Sequence, residues 1–121
     1  MTAKKIQRQT HTLDAAGIPL GRLATKVAII LRGKNKMSFA PNIDGGDFVN
    51  IINASKVKFT GKKFIQKKYF WHTFYPGGQK RPTVAALFAK NPIKVIWKAV
   101  YGMLPKNKLR AKIIKRLKIS L

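Results

Sequence analysis

Residues 20–33 of the chain are LGRLATKVAIILRG, a run in which apolar residues recur at the three- and four-residue spacing of a helix. Arg22, Lys26 and Arg32 fall on the opposite face, and Gly33 is a typical residue at which a helix ends. The pattern predicts an amphipathic basic helix that starts near Leu20 and stops at Gly33. Its apolar face comprises Leu20, Leu23, Ala24, Val27, Ile30 and Leu31.

Two short segments with strand character flank this helix. Residues 11–15 precede it, and residues 48–52 (FVNII) follow it after a basic loop and a turn at residues 44–47. The second segment is almost wholly apolar, which is typical of a buried strand. A strand, a helix and a second strand within about forty residues indicate a parallel βαβ unit.

The middle of the chain predicts two further strands. Residues 56–59 alternate polar and apolar, as a half-exposed strand does. Residues 63–72 predict a longer strand, which a loop at residues 75–78 (YPGG) ends. We find no internal repeat and no low-complexity linker, so the length predicts one domain over residues 1–121. Within it, residues 1–9 are expected to form an extended basic arm.

The last third of the chain predicts helices. Thr83 is a suitable N-cap for a short helix that ends near Ala89, and Asn91-Pro92 opens the next helix. That second helix can end at Gly102, with an apolar face of Ile93, Ile96, Trp97 and Val100. A last helical segment begins at Pro105. Leu109, Ile113, Ile114 and Leu117 occupy one side of it, and Lys108, Lys112, Lys115 and Lys118 the other.

The charge balance indicates the kind of partner. The 121 residues include 26 Lys and Arg against 3 Asp and Glu, a formal net charge of +23. Self-repulsion of this size opposes the compact state, so a polyanion is expected nearby. Nucleic acid fits best, because neutralising phosphates with basic side chains releases condensed counterions. The 45% hydrophobic fraction still supplies a core, which a disordered basic tail lacks.

Composition also limits the cellular location of the protein and the kinds of chemical site that it can form. With no cysteine, the chain has neither disulfides nor Cys-type zinc sites. Its apolar runs are shorter than a membrane span, and residues 1–6 lack the apolar stretch of a signal peptide. We therefore expect a cytoplasmic protein that needs no cofactor and contacts no membrane.

The few acidic residues leave little material for catalysis. Asp14, Asp44 and Asp47 are the only carboxylate side chains, and the last two flank a Gly-Gly turn. One interpretation is that these two carboxylates bind a magnesium ion, as a pair of carboxylates does in nucleases. The favoured interpretation is that they hydrogen-bond the turn backbone and neutralise nearby lysines. The chain is accordingly predicted not to be an enzyme.

Residues 62–72 (KKFIQKKYFWH) interleave lysines with aromatic residues. On a strand, Phe64, Lys68 and Phe70 would share one face. Such rings can stack on unpaired bases while the ammonium groups meet phosphates. The alternative, favoured for most of the rings, is that they belong to the core. For His72 the sequence leaves two alternatives. The side chain either contacts a phosphate or a base, or has a purely structural role.

Several motifs, in order, resemble the bacterial type of the large-subunit ribosomal protein L13 family. Residues 19–25 (PLGRLAT) are similar to the family's helix-opening signature, residues 44–47 (DGGD) to its turn, and residues 102–106 (GMLPK) to its late motif. Residues 31–36, 53–54, 60–63, 72–73 and 77–78 follow the same order. The resemblance spans roughly residues 12–119.

This resemblance implies an α/β fold with a small, mainly parallel β-sheet and helices packed around it. It also implies a structural constituent of the large ribosomal subunit that binds large-subunit ribosomal RNA, stabilises the RNA fold during early assembly, and adjoins other large-subunit ribosomal proteins. The alternative is a DNA-compacting or other basic nucleic-acid-binding protein. A nuclease and a membrane-active cationic protein are weaker rivals.

Family position and basic charge together define the predicted RNA-binding residues. They are Arg22, Lys26, Arg32, Lys34, Lys36, Lys62, Lys63, Lys67, Lys68, His72, Lys80, Arg81, Lys106, Lys108, Arg110, Lys112, Lys115 and Arg116. The chain departs from the family pattern at three places. Arg110-Ala111 replaces the usual Gly-Arg, Thr10-His11 stands where the first strand often has aromatics, and the family's histidine-containing tail is not seen before Leu121.

Overall fold

The computed structural model describes residues 6–121. Their helices are α1 (Leu20–Arg32), α2 (Lys63–Gln66), α3 (Val84–Lys90), α4 (Pro92–Met103) and α5 (Arg110–Ile114). Their strands are β1 (Thr10–Asp14), β2 (Phe48–Ile52), β3 (Trp71–His72), β4 (Gln79–Lys80) and β5 (Leu117–Ile119). No helix in this part of the chain has the length and apolar character that crossing a membrane requires.

The main sheet has three parallel strands in the order β1-β2-β5. Thr10 pairs with Phe48, and Val49 pairs with Leu117. The predicted βαβ unit and the α/β class are confirmed. β2 buries only one face, because Val49 and Ile51 are inaccessible while Phe48 and Ile52 are partly exposed. The prediction of a buried strand therefore holds for one face of β2 and not for the other.

Helix α1 forms where its periodicity predicted. Its buried residues are Leu23, Ala24, Val27, Ala28 and Leu31, and the helix packs on β2 and α4. Gly33 ends it in the left-handed region, with φ 80°, and donates its amide to the carbonyls of Ile29 and Ile30. Glycine adopts this conformation without the steric cost that a Cβ brings, so Gly33 stops the helix as predicted.

Two capped helices, α3 and α4, follow the hairpin that β3 and β4 form. The Thr83 hydroxyl accepts from the amide of Ala86 at 3.2 Å, and the Asn91 side chain accepts from that of Lys94 at 3.4 Å. Both caps agree with the sequence prediction. α4 buries Val95, Ile96 and Val100 and runs one residue past Gly102. Trp97, expected in the core, is partly exposed and stacks on Tyr101 with ring centroids 4.9 Å apart.

The two strands predicted in the middle of the chain are wrong in extent. Residues 63–66 form one helical turn, residues 71–72 of the predicted long strand pair with β4, and Lys68 makes a single antiparallel bridge to Thr83. The reason is tertiary packing, since Phe64 lies against Phe59 and Phe88 at centroid distances of 5.1 and 6.0 Å. Residues 54–56 form a 3-10 turn, after which Lys58 makes a single bridge to Pro19.

The last segment also differs from the prediction. Residues 110–114 are helical, but residues 117–119 form β5 at the edge of the main sheet. Val49 donates its amide to the carbonyl of Arg116 at 3.2 Å, and Ser120 donates to that of Ile51 at 2.8 Å. The predicted helix therefore gives way to a strand because β2 supplies hydrogen-bond partners to it.

The arm predicted over residues 1–9 is only partly described. Residues 6–9 form neither helix nor strand. Arg8 donates to the carbonyl of Gly46 at 2.6 Å and to that of Asp44 at 3.0 Å, which holds this segment against the turn. Residues 1–5 lie outside the described residues, so the extended arm stays a prediction, as does the single-domain boundary.

Candidate nucleic-acid interface

Most of the predicted RNA-binding residues have exposed side chains. The exceptions are Arg32, Lys36 and Arg110, which are half-buried, and Arg116, which is buried. Exposure leaves an ammonium or guanidinium group free to meet a phosphate, whereas a buried group bonded inside the protein does not have that freedom. Arg32 lies against the Phe39 ring at 5.1 Å.

Among residues 6–121, five basic side chains line one groove. This basic groove lies between the start of α1, the segment at residues 58–69 and the end of α4, and its volume is about 930 Å³. Its cationic lining residues are Arg22, Lys58, Lys63, Lys67 and Lys98. Three of them were predicted, but Lys58 and Lys98 were missed. Only the fold brings those two to the groove, and charge in the sequence gives no such signal.

The aromatic side chains of residues 62–72 divide between three environments. Phe64 packs against the core, as favoured for most of these rings, whereas Phe70 is 67% exposed, contrary to that interpretation. Tyr69 is half-buried at the groove, with Lys67 at 5.6 Å and Lys98 at 4.9 Å from its ring centroid. Lys98 also lies 5.3 Å from the ring centroid of Trp71. These rings are therefore already engaged by cations of the protein itself.

The Tyr69 hydroxyl remains protonated over the physiological range. Burial raises its pKa above the usual value. A protonated phenol can donate a hydrogen bond to a phosphate oxygen. Tyr69 therefore adds a neutral donor to a groove whose other polar groups are mainly cationic.

The late motif extends this basic surface. Gly102 and Met103 line the groove, and the chain continues from them to the exposed Lys106 and Lys108. Arg110, which departs from the family's usual Gly-Arg, lies with its guanidinium 3.8 Å from the ring centroid of Tyr101. Its amide donates to the carbonyl of Asn107 at 3.2 Å. The exposed Lys112 and Lys115 follow on and after α5.

The remaining predicted residues lie around the hairpin and on exposed helix and loop positions. Lys68 precedes β3, and His72 is exposed within it. Lys80 of β4 pairs with Trp71, and Arg81 donates to the Gln79 side chain at 2.9 Å. The role of His72 stays open between a nucleic-acid contact and a structural one. Lys26, Lys34 and Lys62 are exposed.

Asp44, Asp47 and their basic partners form a buried ion network at the opposite end of α1. The Asp47 carboxylate accepts from Lys36 at 2.7 Å, from His11 at 2.9 Å and from the amide of Gln9 at 3.2 Å. Asp44 accepts from Arg116 at 2.6 Å. The carboxylates therefore act as counter-charges, as expected, but their partners come from distant segments instead of the turn backbone.

Arg116 is the central member of the buried ion network. Besides its bond to Asp44, it donates to the carbonyl of Leu31 at 2.7 Å and to that of Asp47 at 3.3 Å. These bonds use all three nitrogens of the guanidinium within the protein. We therefore leave Arg116 out of the candidate interface, together with Lys36.

The acidic residues are not arranged as a metal site. Asp14 accepts from the amide of Ala16 at 2.9 Å and from the Asn53 side chain at 3.0 Å, far along the sheet from the other two carboxylates. Among residues 6–121, no group of three His, Asp, Glu or Cys side chains is placed to hold a metal ion. The geometry favours counter-charges over the magnesium interpretation.

We predict that Asp47 makes stability depend on pH between about 4 and 2. Burial acts to raise the pKa of Asp47, but bonds from Lys36, His11 and Gln9 outweigh it and lower the pKa from 3.8 to about 2. A depressed pKa contributes stability above the unfolded value, and this is lost as pH falls through about 2. The loss should be about 2 kcal/mol, measured by urea unfolding across that range.

Asp47→Asn is the variant that tests this assignment. It should flatten the pH dependence between about 4 and 2. Asp14→Asn is the matched control and should change the slope less: bonds from the amide of Ala16 and from Asn53 lower the pKa of Asp14 too, but Asp14 is exposed and its charge is screened by solvent. An unchanged slope in Asp47→Asn would contradict the assignment.

Comparison with known proteins adds a family context to this geometry. Residues 8–120 match the sequence profile of the family described as Ribosomal protein L13. The chain is 52% identical over 114 residues to the large ribosomal subunit protein uL13 of Kocuria rhizophila, covering 94% of this chain and 78% of that protein. The uL13 proteins of Thermotoga maritima and Clostridioides difficile are 48% and 50% identical, covering 96% and 94% of this chain and 78% and 80% of theirs.

Proposed function

Because the chain belongs to the ribosomal protein L13 family and is a structural, non-enzymatic constituent of the large ribosomal subunit, we propose that it binds large-subunit ribosomal RNA through the basic groove. The lysines that continue from the groove past the late motif extend the contact. The protein thereby stabilises the RNA fold as the subunit assembles, beside other large-subunit proteins in the cytoplasmic ribosome.

One observation carries this proposal: positive charge converges where no negative side chain opposes it. Arg22, Lys58 and Lys63 line the groove with exposed side chains. Residues 48–121 contain neither aspartate nor glutamate. The acidic side chains all precede that segment and are engaged by partners of their own. The groove therefore keeps a strongly positive potential, which attracts phosphate.

The kinds of side chain present suit RNA bound by shape. Arg22 can grip a phosphate with two parallel hydrogen bonds, while the lysines supply mobile charge. Folded RNA is recognised largely through its backbone and 2′-hydroxyl groups. A groove of cations next to the lysines of the late motif can therefore hold neighbouring RNA segments together without reading a base sequence.

We expect neutral substitutions in the groove to lower the salt dependence of RNA binding. The triple variant Arg22→Gln, Lys58→Gln, Lys63→Gln removes three exposed cations. The slope of log affinity against log salt should fall by about 0.7 to 0.9 for each phosphate that the protein no longer neutralises. Binding to large-subunit ribosomal RNA is measured by filter retention over a range of salt concentrations.

A matched triple variant removes the same charge elsewhere. Lys56, Lys90 and Lys94 are exposed and lie outside the groove, so replacing all three with Gln should change the slope less. An equal effect of both triple variants would contradict a localised interface. Failure of the parent protein to bind large-subunit RNA at moderate salt, or to co-sediment with large subunits, would overturn the proposal.

Duplex DNA serves to test the rival hypothesis of a DNA-compacting protein. At equal salt, the parent protein should prefer folded large-subunit RNA over duplex DNA of similar phosphate content. Equal affinity would favour the rival, since phosphate attraction alone does not distinguish the two.

A further inference from the structure

The loop between β3 and β4 carries two aromatic side chains that are exposed to solvent. Phe74 is 108% exposed and Tyr75 is 81% exposed. We call these two residues the aromatic tip. Two adjacent large apolar side chains with this exposure form a contiguous apolar patch, the kind of surface that marks an interaction site.

The loop holds the aromatic tip in place through its own hydrogen bonds. The Thr73 hydroxyl donates to the carbonyl of Gly78 at 3.0 Å, and the amide of Gly78 donates to the carbonyl of Tyr75 at 3.0 Å. The base of the hairpin is fixed as well, because Tyr69 donates its amide to the carbonyl of Pro82 at 3.0 Å. A partner therefore meets a loop that is already ordered, which reduces the entropy cost of binding.

The other aromatic clusters show what distinguishes the aromatic tip. Phe59, Phe64 and Phe88 pack together in the core. Trp97 and Tyr101 stack, and Arg110 covers the ring of Tyr101. Tyr69 and Trp71 are engaged by Lys98. Within residues 6–121, the rings of Phe74 and Tyr75 take part in no aromatic or cation–π pair of this kind, and they are more exposed than Phe48 and Phe70, which also lack such a pair.

The charge around the aromatic tip specifies the partner's chemistry. Lys80 and Arg81 lie on the returning arm, His72 lies on the outgoing arm, and all three are exposed. No aspartate or glutamate occurs from residue 48 onward. A partner that offers flat unsaturated rings joined by negative groups satisfies both features, and unpaired RNA bases with their phosphates are such a partner.

We propose that Phe74 and Tyr75 stack on unpaired bases of RNA, with Lys80 and Arg81 contacting the flanking phosphates. This inference rests on the proposed function and adds to it a site for single-stranded RNA that is separate from the basic groove. The basic groove takes RNA backbone, whereas the aromatic tip takes bases that have left a helix.

The experiment compares single-stranded and duplex RNA as probes for the full chain. The single strand is a short oligoadenosine that contains 2-aminopurine, whose fluorescence falls or rises as its stacking changes. Phe74→Ala, Tyr75→Ala should weaken single-strand binding about tenfold or more, since each stacked base contributes roughly this factor. Duplex affinity and the salt slope should stay unchanged, because no cation is removed.

Two control variants separate stacking from general apolar contact. Met37→Ala removes another fully exposed apolar side chain, outside the hairpin, and should leave single-strand binding unchanged. Phe74→Leu, Tyr75→Leu keeps apolar bulk without a ring and should bind the single strand as weakly as the alanine variant. Circular dichroism confirms that each variant is folded.

Several outcomes would overturn the inference. If the alanine variant binds oligoadenosine as the parent does, the aromatic tip makes no base contact. If the leucine variant keeps parental affinity, the contact is merely apolar, as a protein partner would provide. In both cases the parent's binding to large-subunit RNA would still support the proposed function. If the parent protein does not bind large-subunit RNA, the proposed function and the inference about the aromatic tip both fail.

Discussion

Replacing Arg116 with alanine is expected to destabilise the fold by about 3–5 kcal/mol, the range typical of removing one partner of a buried ion pair. The Asp44 carboxylate would lose its 2.6 Å partner, and the carbonyl of Leu31 would lose a donor at 2.7 Å. Domains of this size are stable by only about 5–15 kcal/mol, so the loss is a large fraction of the total. Urea unfolding, followed by tryptophan fluorescence in moderate salt, measures it.

Two further variants define the origin of this effect. Arg116→Lys keeps the charge but loses the planar fork that reaches several acceptors, so it should fall between the parent and the alanine variant. Lys118→Ala, at an exposed position in β5, should change stability by less than about 0.5 kcal/mol. If the free energy of unfolding of Arg116→Ala lies within about 1 kcal/mol of the parent's, the buried ion network contributes little to stability.

Gly46→Ala is expected to be destabilising by about 3 kcal/mol or more, because overpacking against rigid backbone is among the costly core changes. A Cβ at this position would overlap the carbonyl of Leu31 and lie 2.9 Å from Nη2 of Arg116. The carbonyl belongs to the last turn of α1, so it cannot move without shifting the helix. Thermal and urea unfolding of the variant give the measurement.

The neighbouring glycine provides a matched control for that change. Gly45→Ala places a Cβ where nothing lies within 4 Å, and its backbone is not in the left-handed region. Its effect should therefore stay small, since it also lowers the entropy of the unfolded chain. Equal destabilisation by both substitutions would mean that close approach to α1 is not what requires Gly46.

The sequence predicted best those elements that local signals define. α1 has a regular apolar spacing and a terminal glycine, and Thr83 and Asn91 cap helices as their chemistry requires. β1 and β2 were recognised because turns and a basic loop separate them from the helix. These features depend on residues a few positions apart, which is the range over which a pattern carries information.

The elements that were missed depend on distant partners. β5 was taken for helix because its apolar residues continue a helical spacing, while its pairing partner β2 lies far earlier in the chain. Residues 63–66 are helical because Phe64 packs on Phe88, which no local pattern shows. Tertiary packing overrides propensity in such short segments.

The residues of the candidate interface also divide into those that the sequence predicts and those that depend on tertiary packing. The combination of family position and basic charge selected Arg22, Lys63 and Lys67, which the fold brings into one groove. It also selected Arg116, which is 85 residues from Leu31 in sequence and bonds its carbonyl in the interior. Lys98 was missed because its position on α4 faces the groove only once α4 packs against α1. Which basic residues face RNA is thus a tertiary property.

The position of β5 has a consequence for how the protein is made. Translation releases a chain from its amino end, so β1, α1 and β2 emerge well before the strand that completes the sheet beside β2. Until residues 116–119 have left the exit tunnel, one side of β2 is an open edge and Asp44 lacks its guanidinium. Open edges invite pairing with other chains. Between the emergence of β2 and that of residues 116–119, the nascent protein is therefore exposed to aggregation, and a product terminated in this interval should be a ready substrate for chaperones and proteases.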